Sequence, residues 1–267
     1  MKIYIPTKGR IKNQLTLENL PPELYVQAVL VCPPSEVNRM RQNHEHAQIL
    51  AQPDENMEIY QKRAWLVEQC PEDKMIMLDD DLRFAVRRED DPAKFRKAEP
   101  ADIFIAFQEL ENILSEAVPH AGFAVRGMGI GETAQEGGWQ EAKRMIYTLG
   151  YYLPIARYWA EWGRMRIRED MDITLQLLSM GFPNWVNHSF VTDQKYGNPG
   201  GATSERNVQI SNEAAELLAE LHPGYVALEE KTYLNSPSRL EVRCQWQKAL
   251  KDGRLFREDW LKSNAAK

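Results

Sequence analysis

The sequence predicts an α/β fold in which a mixed, mainly parallel central sheet is flanked by helices. Short apolar runs alternate with amphipathic stretches over the first third of the chain, which is the pattern of repeated βα units. Prolines and polar clusters separate the apolar runs from the stretches with helical spacing. Because no linker divides the 267 residues, we expect a single domain.

The first half of the chain contains the clearest predicted elements. Strands are predicted at residues 2–5, 25–31, 48–51 and 74–78. Helices are predicted at residues 13–20, ended by Pro21 and Pro22, and at residues 57–69, ending near Pro71. In open α/β sheets ligands bind beyond the carboxyl ends of the strands, so the residues after the first and fourth strands should face one crevice.

The second half is predicted to be less regular. Its elements are a helix at residues 102–117, a strand at 122–126, an apolar aromatic run at 147–152 and a helix at 171–180 that Gly181 ends. Residues 187–207 lack periodicity and are rich in glycine, which predicts a long loop. We expect helices again at residues 209–221 and after Pro237.

Composition excludes several classes of protein. The chain has 33 Lys and Arg against 39 Asp and Glu, and a net charge of −6 does not favour a general nucleic-acid coat. The longest apolar runs have five residues, whereas a membrane span needs about 20, so we expect no membrane partner. The N-terminus has no secretory signal pattern, which predicts a cytoplasmic protein.

Three consecutive carboxylates, Asp79, Asp80 and Asp81, follow the fourth predicted strand directly. Adjacent carboxylates repel one another and raise each other's pKa unless a cation is present. Mg²⁺ is typically held by one or two carboxylates and substrate phosphates, so the Asp-x-Asp spacing of Asp79 and Asp81 predicts a nucleotide diphosphate bridged by a divalent metal. The alternative is an acidic turn that points into water.

Basic and polar residues accompany the first strand and the second helix. Thr7, Lys8 and Arg10 follow the first strand, where a nucleotide is usually received in such sheets. Lys62 and Arg63 could balance the charge of the phosphates, with arginine offering a bidentate fork. The alternative for Lys62 and Arg63 is the solvated face of an amphipathic helix.

The second half of the chain offers candidates for catalysis and acceptor binding. Glu169 and Asp170 precede a predicted helix, where Asp170 could deprotonate an acceptor hydroxyl, although acidic residues also cap helices without catalysis. His188 could be a third metal ligand, or simply a hydrogen-bonded loop residue. Trp139 and Tyr196 could stack on an acceptor, although most aromatic residues of this region are expected in the core.

In order and spacing these motifs resemble the GT-A nucleotide-sugar glycosyltransferases. The residues that carry the resemblance are Ile5-Pro6-Thr7-Lys8-Gly9-Arg10, Lys62-Arg63, Met77-Leu78-Asp79-Asp80-Asp81 and Glu169-Asp170-Met171-Asp172. The resemblance implies that residues 1–120 bind the nucleotide sugar, with Pro6, Asp79 and Asp80 among the donor contacts. It also implies Mn²⁺ or Mg²⁺ held by the DxD motif, Asp79 and Asp81. It also implies that residues 121–210 hold the acceptor and the catalytic residues, and that residues 211–267 form a helical C-terminal segment.

A narrower resemblance concerns phage glycosyltransferases associated with TET/JBP-type oxygenases. The opening IPTKGR and the downstream HSFVTDQKYGNPGG are similar to sequences of that group. The resemblance implies a UDP-sugar donor and, as acceptor, the hydroxyl of a 5-hydroxymethylpyrimidine such as 5-hydroxymethylcytosine in phage DNA. A phage enzyme of this kind would work in the host cytoplasm.

We therefore expect a metal-dependent glycosyltransferase that moves a sugar from a UDP-sugar to a hydroxyl group by direct displacement. Two other functions stay open at this point. A sugar-phosphate nucleotidyltransferase uses a similar sheet and metal, although the single glycine in Pro6-Thr7-Lys8-Gly9-Arg10 fits its glycine-rich signature poorly. A catalytically silent module that binds a nucleotide sugar or DNA is the other alternative.

Overall fold

A computed structural model of the chain describes residues 1–128, 137–194, 208–233 and 236–264. The strands are β1 (Lys2–Pro6), β2 (Ala28–Cys32), β3 (Gln48–Ala51), β4 (Lys74–Leu78), β5 (Leu82–Arg87), β6 (Phe95–Lys97), β7 (His120–Val125), β8 (Trp139–Glu141), β9 (Thr148–Tyr152), β10 (Asn184–Gln194), β11 (Val226–Tyr233) and β12 (Ser236–Cys244). The helices are α1 (Leu15–Asn19), α2 (Pro22–Tyr25), α3 (Val37–Asn43), α4 (Ile59–Gln69), α5 (Pro100–Ile113), α6 (Leu153–Trp159), α7 (Glu169–Ser179), α8 (Val208–Leu221) and α9 (Trp246–Asn264).

The described strands β1 to β10 form one mixed sheet. Along the sheet the order is β3-β2-β1-β4-β9-β7-β10-β5-β6, and β8 pairs with β10. Strands β3, β2, β1 and β4 are parallel, and β7 is parallel to β10. Strand β9 runs antiparallel to both of its neighbours, β4 and β7, so these two groups point the same way. The carboxyl ends of β1, β4 and β10 consequently lie along one edge of the sheet.

Helices α4 and α5 cover the sheet because each buries an apolar face against it. Helix α5 starts with a capping box between Glu99 and Asp102 and packs Ile103 and Phe107 into one core cluster. Helix α4 also starts with a capping box and packs its apolar side into the cluster on the other face of the sheet. Phe123 of β7 joins the first of these clusters, in edge contact with Phe107.

The C-terminal segment packs against α7. Gly253 of α9 lies so close to α7 that a Cβ added to it would be 2.2 Å from the carbonyl oxygen of Leu178. On the other side of this contact, Gly181 ends the α7 region with a φ of +80°, a conformation that side chains rarely adopt. A third buried cluster, which includes Leu175 and Leu218, joins α7 to α8 and α9.

The fold confirms the predicted α/β class, and the four strands predicted in the first half are present within a few residues. The start of the second strand was placed too early, because residues 22–25 form α2. The predicted loop at 187–207 is wrong up to Gln194, since these residues belong to β10, and residues 195–207 lie outside the described part. The helix predicted after Pro237 begins only at Trp246, and β11 and β12 form a hairpin in this segment predicted to be helical. No helix in the described ranges is both long and apolar enough to cross a membrane.

Candidate active site

The loop after β1 is tied to the carboxylates after β4. The hydroxyl of Thr7 donates to Asp80 Oδ2 at 2.6 Å, and Arg10 forms an ion pair with Asp80 and, at 3.0 Å, with Asp81 Oδ2. Gln14 donates to the Thr7 hydroxyl at 3.0 Å. These contacts form because β1 and β4 are parallel neighbours whose carboxyl ends carry the two loops. The structure thus brings together two motifs that lie about 70 residues apart in the sequence.

Arg63 of α4 links the aspartate cluster to the start of α7. Its Nη2 is 2.9 Å from Asp79 Oδ1, and its Nη1 is 2.6 Å from Glu169 Oε1. The guanidinium is largely buried, so the alternative of a solvated helix face is wrong for Arg63. A single arginine therefore bridges a candidate metal ligand and the candidate catalytic helix, and in doing so joins the two halves of the site.

The three aspartates do not point into water, as the acidic-turn alternative would require. Asp80 and Asp81 are each 6% exposed. Burial raises the pKa of Asp79 to about 7; Arg63 opposes this shift, and the neighbouring carboxylates add to it. Burial also raises the pKa of Asp80, against the hydrogen bond from Thr7 and the charge of Arg10. Oδ1 of Asp81 is buried without a hydrogen-bond partner among the described residues.

This combination fits a divalent cation. An unpaired carboxylate oxygen beside a second carboxylate with a raised pKa is an oxygen-rich site where positive charge would be stabilised. Asp79 and Asp81 are the residues that could hold the ion. Within the ranges that the structure describes, no group of three or more His, Cys, Asp or Glu side chains already has the arrangement of a complete metal site. Such a site would draw its other ligands from a substrate or from water.

The remaining candidates near the donor loop have different surroundings. Lys62 is 3% exposed and donates to the backbone oxygens of Thr7 and Val31 at 3.0 and 3.3 Å. Burial lowers the pKa of Lys62 to about 8. Lys62 therefore fixes the end of β1, and the solvated-face alternative is wrong for it as well. Pro6 is buried at the end of β1, whereas Lys8 is exposed.

The N-terminus of α7 places Asp170 beside this cluster. Arg168, the residue before the helix, has a left-handed backbone with φ 67°, which is uncommon for a residue with a Cβ. Asp170 is partly exposed and acts electrostatically on Arg63, Tyr147 and Tyr151. A small surface cleft lies here, and its lining includes Tyr60, Arg63, Trp162, Glu169 and Asp170.

A buried polar network holds α7 in place. Asp172 accepts hydrogen bonds from Arg164 Nη2 at 2.6 Å and from Gln176 Nε2 at 3.0 Å, and its Oδ1 lies 2.7 Å from His222 Nε2. Burial opposes ionisation of Asp172, but the hydrogen bonds from His222 and Arg164 outweigh it and lower its pKa. The network fixes Asp172, only two residues after Asp170, against the segment that follows α8.

The structure places the other sequence candidates away from the acidic cluster or leaves them undescribed. His188 lies in β10, where its carbonyl accepts from Arg87 Nε at 2.7 Å. Burial lowers the pKa of His188 to about 4, and the charges of Lys143 and Arg87 add to the effect. Trp139 of β8 packs against Phe123 at the edge of the core. Tyr196 lies outside the described residues.

Two residues of the site were not predicted. Gln194 at the end of β10 donates to Asp79 Oδ2 at 3.0 Å. The carbonyl of Tyr147, just before β9, accepts from the Asp79 amide at 3.1 Å. The strand character of residues 187–194 would have placed Gln194 at the carboxyl edge, but a sequence with Asn187, His188 and Ser189 in succession does not show it.

Several solved structures have a similar fold. Glucosyl-3-phosphoglycerate synthase from Mycobacterium tuberculosis, solved with Mn²⁺, UDP and phosphoglyceric acid, is 10% identical, with 91% of this chain and 87% of that chain covered and a TM-score of 0.51. The same enzyme with Mn²⁺, UDP-glucose and phosphoglyceric acid is 11% identical, with 89% of each chain covered and a TM-score of 0.50. S. aureus TarS 1-349 with UDP is 11% identical, with 83% of this chain and 65% of that chain covered and a TM-score of 0.49. The first two confirm the predicted GT-A-like fold.

Sequence comparison identifies the family. No curated protein is similar enough in sequence to count as a match. The family profile described as TET-Associated Glycosyltransferase, in contrast, matches residues 1–201, which contain the β1 loop, the aspartate cluster and the start of α7. The match covers three quarters of the chain, and with it the predicted glycosyltransferase activity is confirmed. The chain belongs to the TET-associated glycosyltransferases.

Proposed function

We propose that this glycosyltransferase moves a sugar from a UDP-sugar to the hydroxyl of a 5-hydroxymethylpyrimidine in DNA, with Mn²⁺ or Mg²⁺ at Asp79 and Asp81. The observation that carries the proposal is the buried aspartate cluster at the carboxyl edge of the sheet, where Asp81 keeps an unpaired oxygen. The similar synthase from M. tuberculosis was solved with Mn²⁺ and UDP, which supports a metal and a uridine nucleotide in this fold.

The donor would lie along the β1 loop. Asp79 and Asp81 would hold Mn²⁺ or Mg²⁺, which would supply positive charge to the leaving diphosphate. Arg10 and Arg63 are now engaged with carboxylates of the cluster and offer guanidinium groups close to the same place. Thr7 and Lys62 hold the loop in position. Lys8 of the same loop is exposed and would face the nucleotide.

Asp170 is the candidate base for the acceptor hydroxyl. Its carboxylate is partly exposed at the cleft, and the helix N-terminus favours its negative charge. Glu169 serves a different purpose, because its pairing with Arg63 fixes the arginine between α7 and Asp79. Removal of the acceptor proton by Asp170 while the hydroxyl attacks the anomeric carbon predicts inversion of configuration at that carbon.

The proposal of a DNA acceptor is supported by the family to which the chain belongs and by the two segments IPTKGR and HSFVTDQKYGNPGG, which resemble sequences of the phage enzymes. A hydroxymethyl group on a pyrimidine would reach Asp170 on a flipped or distorted base, at a cost of a few kcal/mol for unstacking. Tyr196 remains a candidate for stacking on that base, whereas His188 and Trp139 lie away from the aspartate cluster.

The test is release of UDP from UDP-sugars with and without Mn²⁺, in the presence of DNA that contains 5-hydroxymethylcytosine. We expect release to require both the metal and the modified base, and to be lost in Asp81→Asn. Asp90→Asn is the matched control, because Asp90 is a surface residue paired with Arg88. Retained activity in Asp81→Asn would contradict the metal site, and equal release with unmodified DNA would contradict the acceptor. Binding without release would indicate the silent module.

A further inference from the structure

Backbone strain is concentrated beside the candidate base. In the described ranges, the non-glycine residues with a left-handed backbone are Ala142 (φ 52°), Tyr147 (φ 66°) and Arg168 (φ 67°). Ala142 and Tyr147 enclose a short connection between β8 and β9, and Arg168 directly precedes Glu169 and Asp170. Such conformations persist where the surrounding structure enforces them, and they cluster at functional sites. The strained positions fix the course of the chain around two arginines, Arg144 and Arg168.

Both arginines carry buried donors that nothing in the described chain satisfies. The Nε atoms of Arg144 and Arg168 are shielded from solvent and have no hydrogen-bond partner there. Arg168 makes one long contact, from Nη2 to the carbonyl of Leu240 at 3.5 Å. The two side chains as a whole are partly exposed. An unsatisfied buried donor is destabilising, and a charged one more so.

The two guanidinium groups are close enough to act on one another. Burial lowers the pKa of Arg168, and the positive charge of Arg144 lowers it further. Both arginines also act on the thiol of Cys244, as does Asp170. The carboxylates of Glu241 and Asp170 oppose this lowering of the Arg168 pKa, and Glu241 Oε1 is also bound by Arg239 at 2.7 Å. Two neighbouring arginines therefore each keep an unsatisfied Nε donor at this place.

We infer that Arg144 and Arg168 form a phosphate site that binds the backbone of the nucleic-acid acceptor beside Asp170. The ligand must supply negative charge and several hydrogen-bond acceptors at once, which phosphate oxygens do for guanidinium groups. The site is separate from Arg10 and Arg63, which already serve the aspartate cluster where the donor diphosphate is proposed. This inference rests on the proposed function, because it needs the acceptor hydroxyl to reach Asp170.

Phosphate contacts position a nucleic acid without reading its sequence. An acceptor phosphate held here would orient the flanking nucleotides while the modified base enters the cleft at Asp170. It would also explain how a protein with a net charge of −6 binds DNA, because the required positive charge is local. The site would then contribute to the affinity for the acceptor and leave the choice of base to other residues.

The test measures binding of a fluorescent DNA duplex that contains 5-hydroxymethylcytosine, by anisotropy at several salt concentrations, with the full chain. We expect Arg144→Gln and Arg168→Gln each to weaken binding about 10-fold and to reduce the slope of log K against log salt by about 0.9, the value for one lost phosphate contact. Arg144→Lys keeps the charge and should restore most of the slope. Arg243→Gln is the matched control, because Arg243 precedes Cys244 in β12 but its side chain is 77% exposed.

Titration with UDP and Mn²⁺ in parallel separates the two sources of phosphate. A loss of UDP affinity in Arg144→Gln as large as the loss of DNA affinity would assign the anion to the donor and overturn the inference. An unchanged salt slope in both glutamine variants would overturn it as well, as would a wild-type chain that releases UDP onto another acceptor but does not bind the duplex. Failure of the proposed function is distinguishable, because it appears as no release of UDP by the wild-type chain.

Discussion

Replacement of Asp79 by asparagine should stabilise the protein while it removes a candidate metal ligand. The carboxyl group has a pKa of about 7 in the fold against an ordinary value of 3.8. The folded state therefore binds more protons than the unfolded state between these values, so the stability falls as the pH rises from about 4 to about 7. The difference between the two pKa values corresponds to a loss of about 4 kcal/mol in unfolding free energy above pH 7. Because 26% of the Asp79 side chain is exposed, we expect a loss of about 2–4 kcal/mol.

Asparagine removes the free-energy cost of burying the Asp79 charge, and the neighbouring side chains keep hydrogen-bond partners. Its carbonyl oxygen can still accept from Arg63, which also keeps Glu169, and the side-chain amide of Gln194 can rotate to accept from the new NH₂ group. In urea unfolding with EDTA, Asp79→Asn should therefore exceed the wild type in unfolding free energy by about 2–4 kcal/mol at pH 8. The difference should shrink towards zero at pH 4.

A matched surface change separates this effect from a general loss of negative charge. Asp90→Asn alters the same charge at a side chain that is 67% exposed, and it should give no comparable gain at pH 8. The reasoning is refuted if Asp79→Asn is no more stable than the wild type at pH 8. It is also refuted if the gain is the same at pH 4 and pH 8, because burial of a charge would then not be the cause.

Three further predictions concern the helix contact, the buried network and the metal. Gly253→Ala should lower the unfolding free energy by about 1–3 kcal/mol or more in urea, because its Cβ would lie 2.2 Å from the Leu178 carbonyl oxygen; an unchanged midpoint would contradict the packing of α9 on α7. Asp172→Ala should lower the unfolding free energy in urea by about 3–5 kcal/mol, because Arg164 and His222 lose their buried partner. A loss below about 1 kcal/mol would show that the network does not stabilise the fold. Mn²⁺ affinity measured by calorimetry should fall about 10-fold for each pH unit below 7, because Asp79 must release its proton, and a flat profile would exclude Asp79 as a ligand.

The strands near the N-terminus could be predicted because each is a short apolar run followed by a helical pattern. Parallel strands in such units are buried on both faces, and β2 is buried at every position. Strand β12 carried a usable signal that was missed. Leu240 and Val242 alternate with charged residues there, as in a strand with one solvated face, and Val242 does pack against the third core cluster.

The location of the acidic site could be predicted, but the ion pairs and hydrogen bonds that connect its residues could not. Asp79 follows a buried strand, and the rule that ligands bind at carboxyl ends needs only that local pattern. The contact between Arg63 and Glu169 spans 106 residues and depends on the packing of two helices. The role of Gln194 depends on β10 being parallel to β7, which no local pattern in the sequence indicates.

The reversed direction of β9 separates the connection between β8 and β9 from the βα units of the sheet. A strand that ran with its neighbours would start at the far edge of the sheet, but β9 starts at Thr148, directly after Tyr147, whose carbonyl accepts from the Asp79 amide. The connection that carries Arg144 therefore lies at the edge of the sheet that holds the aspartate cluster. It lies outside the βα units that contribute the other residues of that edge. Under the proposed function, insertions or replacements in that connection would alter acceptor binding and leave the aspartate cluster in place.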